Sequence, residues 1–151
     1  MKSLSNKNTS EFTAIIGCGR LGARIAGSIS EAGGNVLVMD VNKEAFRKLP
    51  AYFGGFAVEG NGTSFQDLRQ AEIQKADVLL VVTDNDNVNI MIAQMAKKVF
   101  HIPKVIARLY NQERECVYKE FGIETICPSE LSAQEIDNIL AGPKTVSKEE
   151  A

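Results

Sequence analysis

Residues 12–40 constrain this chain more than any other stretch. They read as an apolar run, Phe12–Ile16, then GCGRLG at 17–22, a helical stripe, a second apolar run and an acid. A lone G-x-G-x-x-G is weak evidence. It becomes specific when a strand precedes it, a helix opens on it, and an acid follows the next strand about 20 residues on. Here Leu21, Ile25 and Ile29 recur every four residues, which predicts one apolar helix face over 20–32. Gly33-Gly34 stops that helix, residues 36–39 form the second strand, and Asp40 ends it. Each glycine has a task. Gly17 makes the tight turn, Gly19 lets a pyrophosphate approach the backbone, and Gly22 lets the helix pack close to the strand. Cys18 is a small spacer between them. The free N–H groups at the helix start favour a diphosphate. The Asp40 carboxylate can accept both ribose hydroxyls of an adenosine, and it repels a 2′-phosphate, which disfavours NADP. The bland alternative is a tight strand-to-helix turn that binds nothing.

The same unit recurs along the chain. Asn42 caps a short helix that ends before Pro50. Residues 56–58 are a third strand, followed by the turn Gly60-Asn61-Gly62, and Thr63 with Gln66 forms a capping box for the next helix. Residues 78–82 are the fourth strand. After DNDN at 84–87 comes a helix with Val88, Met91, Ile92, Met95 and Val99 on one face. Residues 104–107 are a fifth strand, 112–121 a helix stopped by Gly122, and 123–127 a sixth strand. Ser129 caps a last helix that reaches Leu140 before Gly142-Pro143. Strands that are continuous apolar runs, alternating with helices, imply a parallel sheet covered on both faces. The expected fold is α/β: a Rossmann-like three-layer α/β/α sandwich with a doubly wound, mainly parallel six-stranded sheet. It forms one domain over 11–141, between a flexible leader (1–10) and a flexible tail (142–151).

The chain's 151 residues carry a net charge of −2, so the basic excess that phosphate neutralisation demands of a nucleic-acid binder is missing. The apolar runs fall far short of the roughly 20 residues needed to cross a membrane. The polar start lacks the apolar core of a signal peptide. The expected location is cytoplasmic, peripheral to any membrane. Cys18, Cys116 and Cys127 are widely spaced and odd in number, which argues for reduced thiols rather than a disulfide or zinc framework.

In a doubly wound sheet the ligand crosses the carboxyl ends of the strands. That rule selects Asn61 after the third strand, Thr83 and Asp84 after the fourth, and Arg108 after the fifth. Two readings stand for several of these residues. Arg20 either reaches a phosphate or is a solvated helix-start arginine. Arg108 either pairs with a phosphate or forms a salt bridge to a neighbouring helix. Thr83 and Asp84 either line the cleft or only cap the next helix. No catalytic centre is visible. His101, the one histidine, lies between a helix and Pro103, and there is no metal-ligand cluster, nucleophile triad or GKS/T loop. Binding without chemistry is the expectation.

GCGRLG (17–22), VLVMD (36–40), GNGT (60–63), VVTDNDNVNI (81–90) and VIARLYN (105–111) together resemble the RCK or KTN domain, also called the TrkA N-terminal domain. The resemblance covers roughly residues 12–140. It implies a regulatory, nucleotide-binding subunit of a Trk- or Ktr-type potassium uptake system, at the inner face of the membrane through an integral-membrane transporter or channel subunit. It implies NAD(H), or ATP, ADP or AMP, as ligand, and a homodimer or larger ring as assembly. By position, residues 17–22 (Gly17, Cys18, Gly19, Arg20, Leu21 and Gly22) would hold phosphates and Asp40 the ribose. Asn61, Thr83 and Asp84 would line the cleft, and Arg108 would face phosphate. Two departures stand out: the chain stops where many relatives continue into a second ligand-binding subdomain, and Asn61 replaces a common aspartate. Against this reading stand an NAD-dependent oxidoreductase, or its isolated cofactor domain, and a nucleotide sensor for another partner such as a transcription factor. The last helix, with Leu131, Ile136, Ile139 and Leu140, is read either as core or as a self-association surface.

Overall fold

The computed structural model describes residues 11–143, so the leader (1–10) and residues 144–151 of the tail lie outside the described residues. Six strands run β1 (Phe12–Ile16), β2 (Asn35–Asp40), β3 (Phe56–Glu59), β4 (Val78–Val81), β5 (Lys104–Arg108) and β6 (Glu124–Ile126). Five α-helices join or follow them: α1 (Arg20–Glu31), α2 (Phe65–Gln70), α3 (Asp86–Lys98), α4 (Glu115–Glu120) and α5 (Pro128–Leu140). The segments after β2 and before α4 are 3-10 turns, Lys43–Lys48 and Gln112–Arg114. All neighbouring strands pair in parallel, in the order β3-β2-β1-β4-β5-β6. This is the doubly wound Rossmann-like sheet that the sequence predicts.

The period-2 alternation of the strands divides the core between the two faces of the sheet. Ala14, Ile16, Leu37, Met39, Leu79 and Val81 join a cluster with Leu68, Ile92, Ala93, Ala96 and Tyr118 from α2, α3 and α4. Ile15, Val36, Val38, Leu80 and Val82 join the opposite cluster, with Ala23 and Ala26 from α1 and Ala45 from the 3-10 turn. Both faces of β1, β2 and β4 are therefore covered. That is why these strands carry unbroken apolar runs.

Several local expectations shift. The cap of α2 is Ser64, whose side chain accepts from the Asp67 N–H at 3.2 Å; Thr63 instead donates its hydroxyl to Asn61 Oδ1 at 2.7 Å. On α3 the buried face is Asn89, Ile92, Ala93 and Ala96, while Met91 and Val99 stand 46% and 51% exposed. Two alanines let the helix lie close to the sheet, which rotates the larger side chains outward. α5 begins at Pro128 with Cys127 as cap and no side-chain cap bond, so Ser129 lies inside the helix. Proline suits a first helical position because its missing N–H would have had no intrahelical partner. α5 buries none of its residues. The core reading of that helix is thereby corrected: Leu131, Ile136, Ile139 and Leu140 are 56–79% exposed.

Candidate functional site

The cleft lies at the carboxyl ends of β1, β2 and β4, a cavity of about 610 Å³. Its rim is built from the first strand-to-helix turn outward. Gly17 adopts φ +105°, and a Cβ placed on it would lie 3.0 Å from Val82 C and Thr83 N. A side chain there is excluded by conformation and by space alike. Gly22 sits under the same turn; its Cβ would stand 1.9 Å from Gly17 O. Together the two glycines press the start of α1 against the end of β4. The open N-terminus of α1 carries no side-chain cap, so its orphan N–H groups remain available to an anion.

Asp40 faces this turn. Its Oδ2 accepts from the Cys18 N–H at 2.8 Å and its Oδ1 from the Asn42 N–H at 2.8 Å. The carboxylate thus ties the glycine turn to the segment after β2, and each oxygen keeps further acceptor capacity. Cys18 is more than a spacer. Its side chain is fully buried, and its thiol donates to Ala45 O at 3.5 Å. Burial pushes the thiol pKa up, the Asp40 charge adds to that, and Lys48 opposes it. The three cysteines are free of disulfides.

Across the cleft, the Asn61 side chain shapes its own turn. Its Oδ1 accepts from the Thr63 N–H at 2.9 Å, while the Asn61 backbone N–H donates to Asp67 Oδ2 at 2.8 Å. Asn85, rather than Thr83 or Asp84, caps α3, accepting from the Val88 N–H at 3.1 Å. Arg108 makes neither a helix salt bridge nor a free approach to solvent. Its Nη2 donates to Val82 O at 2.7 Å and Thr83 O at 3.0 Å, and its guanidinium lies 5.1 Å above the Tyr110 ring. Its Nε is buried without a hydrogen-bond partner.

The structure therefore brings Gly17, Cys18, Gly19, Asp40, Asn61, Thr83, Asp84 and Arg108 to one cavity. It separates three other candidates. Arg20 lines a second groove, on the outer side of α1, with Arg24, Lys48 and Tyr52. The Leu21 side chain packs on the core, and Gly22 is buried beneath the turn. Sequence reasoning missed Lys48, which stands between the two cavities, and Asn89. No signal marks Lys48. Nor does one mark Asn89, which lies outside the stripe of Val88, Met91, Ile92, Met95 and Val99 and joins the buried face only because that face is Asn89, Ile92, Ala93 and Ala96.

A family model, the TrkA-N domain, matches residues 13–128. The Trk system potassium uptake protein TrkA of Streptomyces coelicolor is 36% identical over 122 residues, 81% of this chain. The chain spans only 55% of that relative's length. The TrkA-N domain of the inner membrane protein ybaL from Escherichia coli superposes with a TM-score of 0.77 at 18% identity, covering 86% of this chain and 96% of that one. The GsuK channel bound to NAD superposes with a TM-score of 0.74 at 24% identity, covering 87% of this chain and 23% of that one. The family model over residues 13–128, with the 36% identical relative beside it, shows that this chain belongs to the TrkA-N domain family.

Proposed function

We propose that this chain binds NAD(H) or an adenine nucleotide in the cleft and acts as the ligand-sensing part of a potassium transport system, not as an enzyme. The observation that carries this reading is the glycine turn held against Asp40. The N–H groups at the start of α1 offer a seat for phosphates. The spare lone pairs of Asp40 offer one for ribose hydroxyls. Thr83, Asp84 and Arg108 then border the remainder of the ligand, and Arg20 serves phosphate only through its backbone. The NAD held by the GsuK channel and the potassium uptake role named for the Streptomyces relative support the assignment.

The unit that binds is the domain over 11–141. No described helix is long and apolar enough to cross a membrane. The potassium uptake role named for the Streptomyces relative supports action through an integral-membrane transporter or channel subunit, at the inner membrane face. It self-associates as a homodimer or larger ring, with the bare apolar side chains of α5 as the contact. Ligand exchange moves the partner only by its differential affinity for the partner's two states.

Calorimetric titration with NAD, NADH, ATP, ADP and AMP tests the site. The wild type is expected to bind at micromolar concentration. Asp40→Ala is expected to weaken binding about tenfold or more, as loss of charge-assisted hydrogen bonds does. Absence of heat with every ligand would overturn the reading. The ranking among ligands distinguishes a redox sensor from a sensor of adenylate charge.

A further inference from the structure

We propose that Asn89 is a positioning residue that holds the β4–β5 half of the cleft in the form that accepts the second half of a dinucleotide. The inference rests on the nucleotide reading above and goes on to a residue outside the motifs. The β4–β5 ladder runs only as far as Val81 and Ala107. Beyond it the strands part. The Val82 N–H continues the ladder to Ile16 O of β1 and the Leu109 N–H the ladder to Ile126 O of β6, each at 2.9 Å, while the Thr83 N–H goes to Asn89 rather than to β5. That parting takes Thr83 and the Arg108 carbonyl out of the ladder at the place where the cleft opens.

Asn89 fills the gap. It lies one turn into α3, is 0% exposed, and is the one polar residue on that helix's buried face. Its Oδ1 accepts from the Thr83 N–H at 3.1 Å and from the Thr83 hydroxyl. Its Nδ2 donates to Thr83 O at 3.1 Å and to Arg108 O at 2.9 Å. A carboxamide has two donor hydrogens and one oxygen with two lone pairs, and all four are used here. An aliphatic residue could supply none of them, and a carboxylate only half.

The groups so held face the ligand. Thr83 and Arg108 line the cleft. The Arg108 guanidinium hangs from Val82 O and Thr83 O, so its aim follows from where Thr83 is held. Asp40 belongs to a different set of bonds, with Cys18 and Asn42. The two halves of the cleft thus rest on separate supports. AMP, which fills only the half nearest Asp40, depends on the first. A dinucleotide depends on both.

The test is titration of the full chain and its Asn89→Ala and Asn89→Asp variants with NAD and with AMP. The wild type is expected to bind both. Asn89→Ala is expected to lose about tenfold or more in NAD affinity while AMP stays within about twofold. Asn89→Asp, which keeps the size and the acceptors but no donors, is expected to fall between; it carries the comparison if the alanine variant does not fold. Parallel losses for NAD and AMP, or no loss for NAD, would overturn the role of Asn89 alone. A wild type that binds neither would overturn the nucleotide reading and this inference with it.

Discussion

Helices α1 and α5 run for 12 and 13 residues, and both carry apolar side chains at helical spacing. They end in opposite environments. α1 buries Gly22, Ala23, Ala26 and Gly27, a face of small residues that lets its backbone come close to the sheet. Its longer side chains, Leu21, Ile25 and Ile29, flank that contact half-buried. α5 has large apolar residues, yet Leu131 and Leu140 are 61% and 79% exposed. An apolar stripe says that a helix has something to bury against. It does not say whether the surface belongs to its own sheet. The small residues of α1 are the better sign of an internal contact, since only a close neighbour needs them.

The largest effect expected from testing this contrast is at Gly22. Gly22→Ala places a Cβ 1.9 Å from Gly17 O, a backbone atom that moves only with the whole turn. It should cost about 3 kcal/mol in urea unfolding, the upper end of overpacking, and should weaken nucleotide binding with it. A loss below about 1 kcal/mol would mean that α1 is not clamped to the turn.

α4 is an intermediate case, a six-residue helix pinned by one buried tyrosine. The Tyr118 hydroxyl donates to Asp86 O at 3.1 Å, and burial together with the Asp86 charge pushes its pKa up from 10.0 to about 12, against the pull of Arg114. The folded state therefore favours the protonated phenol. This contribution is fully present below pH 10 and is lost as pH rises through about 12. Tyr118→Phe should cost about 1 kcal/mol at neutral pH and flatten the alkaline limb of the stability profile. An unchanged limb in the phenylalanine variant would assign that limb to other groups.

The smallest effect on stability is expected at the far end. Ile136→Ser and Ile139→Ser in α5 should each change monomer stability by no more than about 0.5 kcal/mol, as exposed substitutions do. Together they should lower the sedimentation coefficient by breaking self-association. A core-sized loss of stability would instead place α5 against its own sheet and erase the contrast with α1.

Much of this molecule was legible in its sequence because the signals were local. Apolar runs gave β1, β2, β4 and β5 within a residue, and Asn42 caps its turn as expected, accepting from the Glu44 N–H at 3.0 Å. The glycine pattern and Asp40 located one half of the cleft. Where a choice lay between equal local signals, the sequence was mute. Thr63 and Ser64 are both good caps, and only the turn geometry that turns Thr63 onto Asn61 decides for Ser64. Arg20 and Arg108 carry the same charge, one inside GCGRLG and the other inside VIARLYN. One points to the outer groove and the other is drawn into carbonyls of the floor.

By itself, then, the sequence determined the alternation of strands and helices, the family, and the backbone turn at Gly17–Gly22, because each depends on residues within one or two turns of one another. The tertiary structure decided which side chains reach the cleft, that Asn89 binds two strand ends from the first turn of a helix, and that α5 remains bare. Those outcomes depend on where the ends of β4 and β5 part, and on which face of a helix meets a sheet. Residues distant in the chain set both.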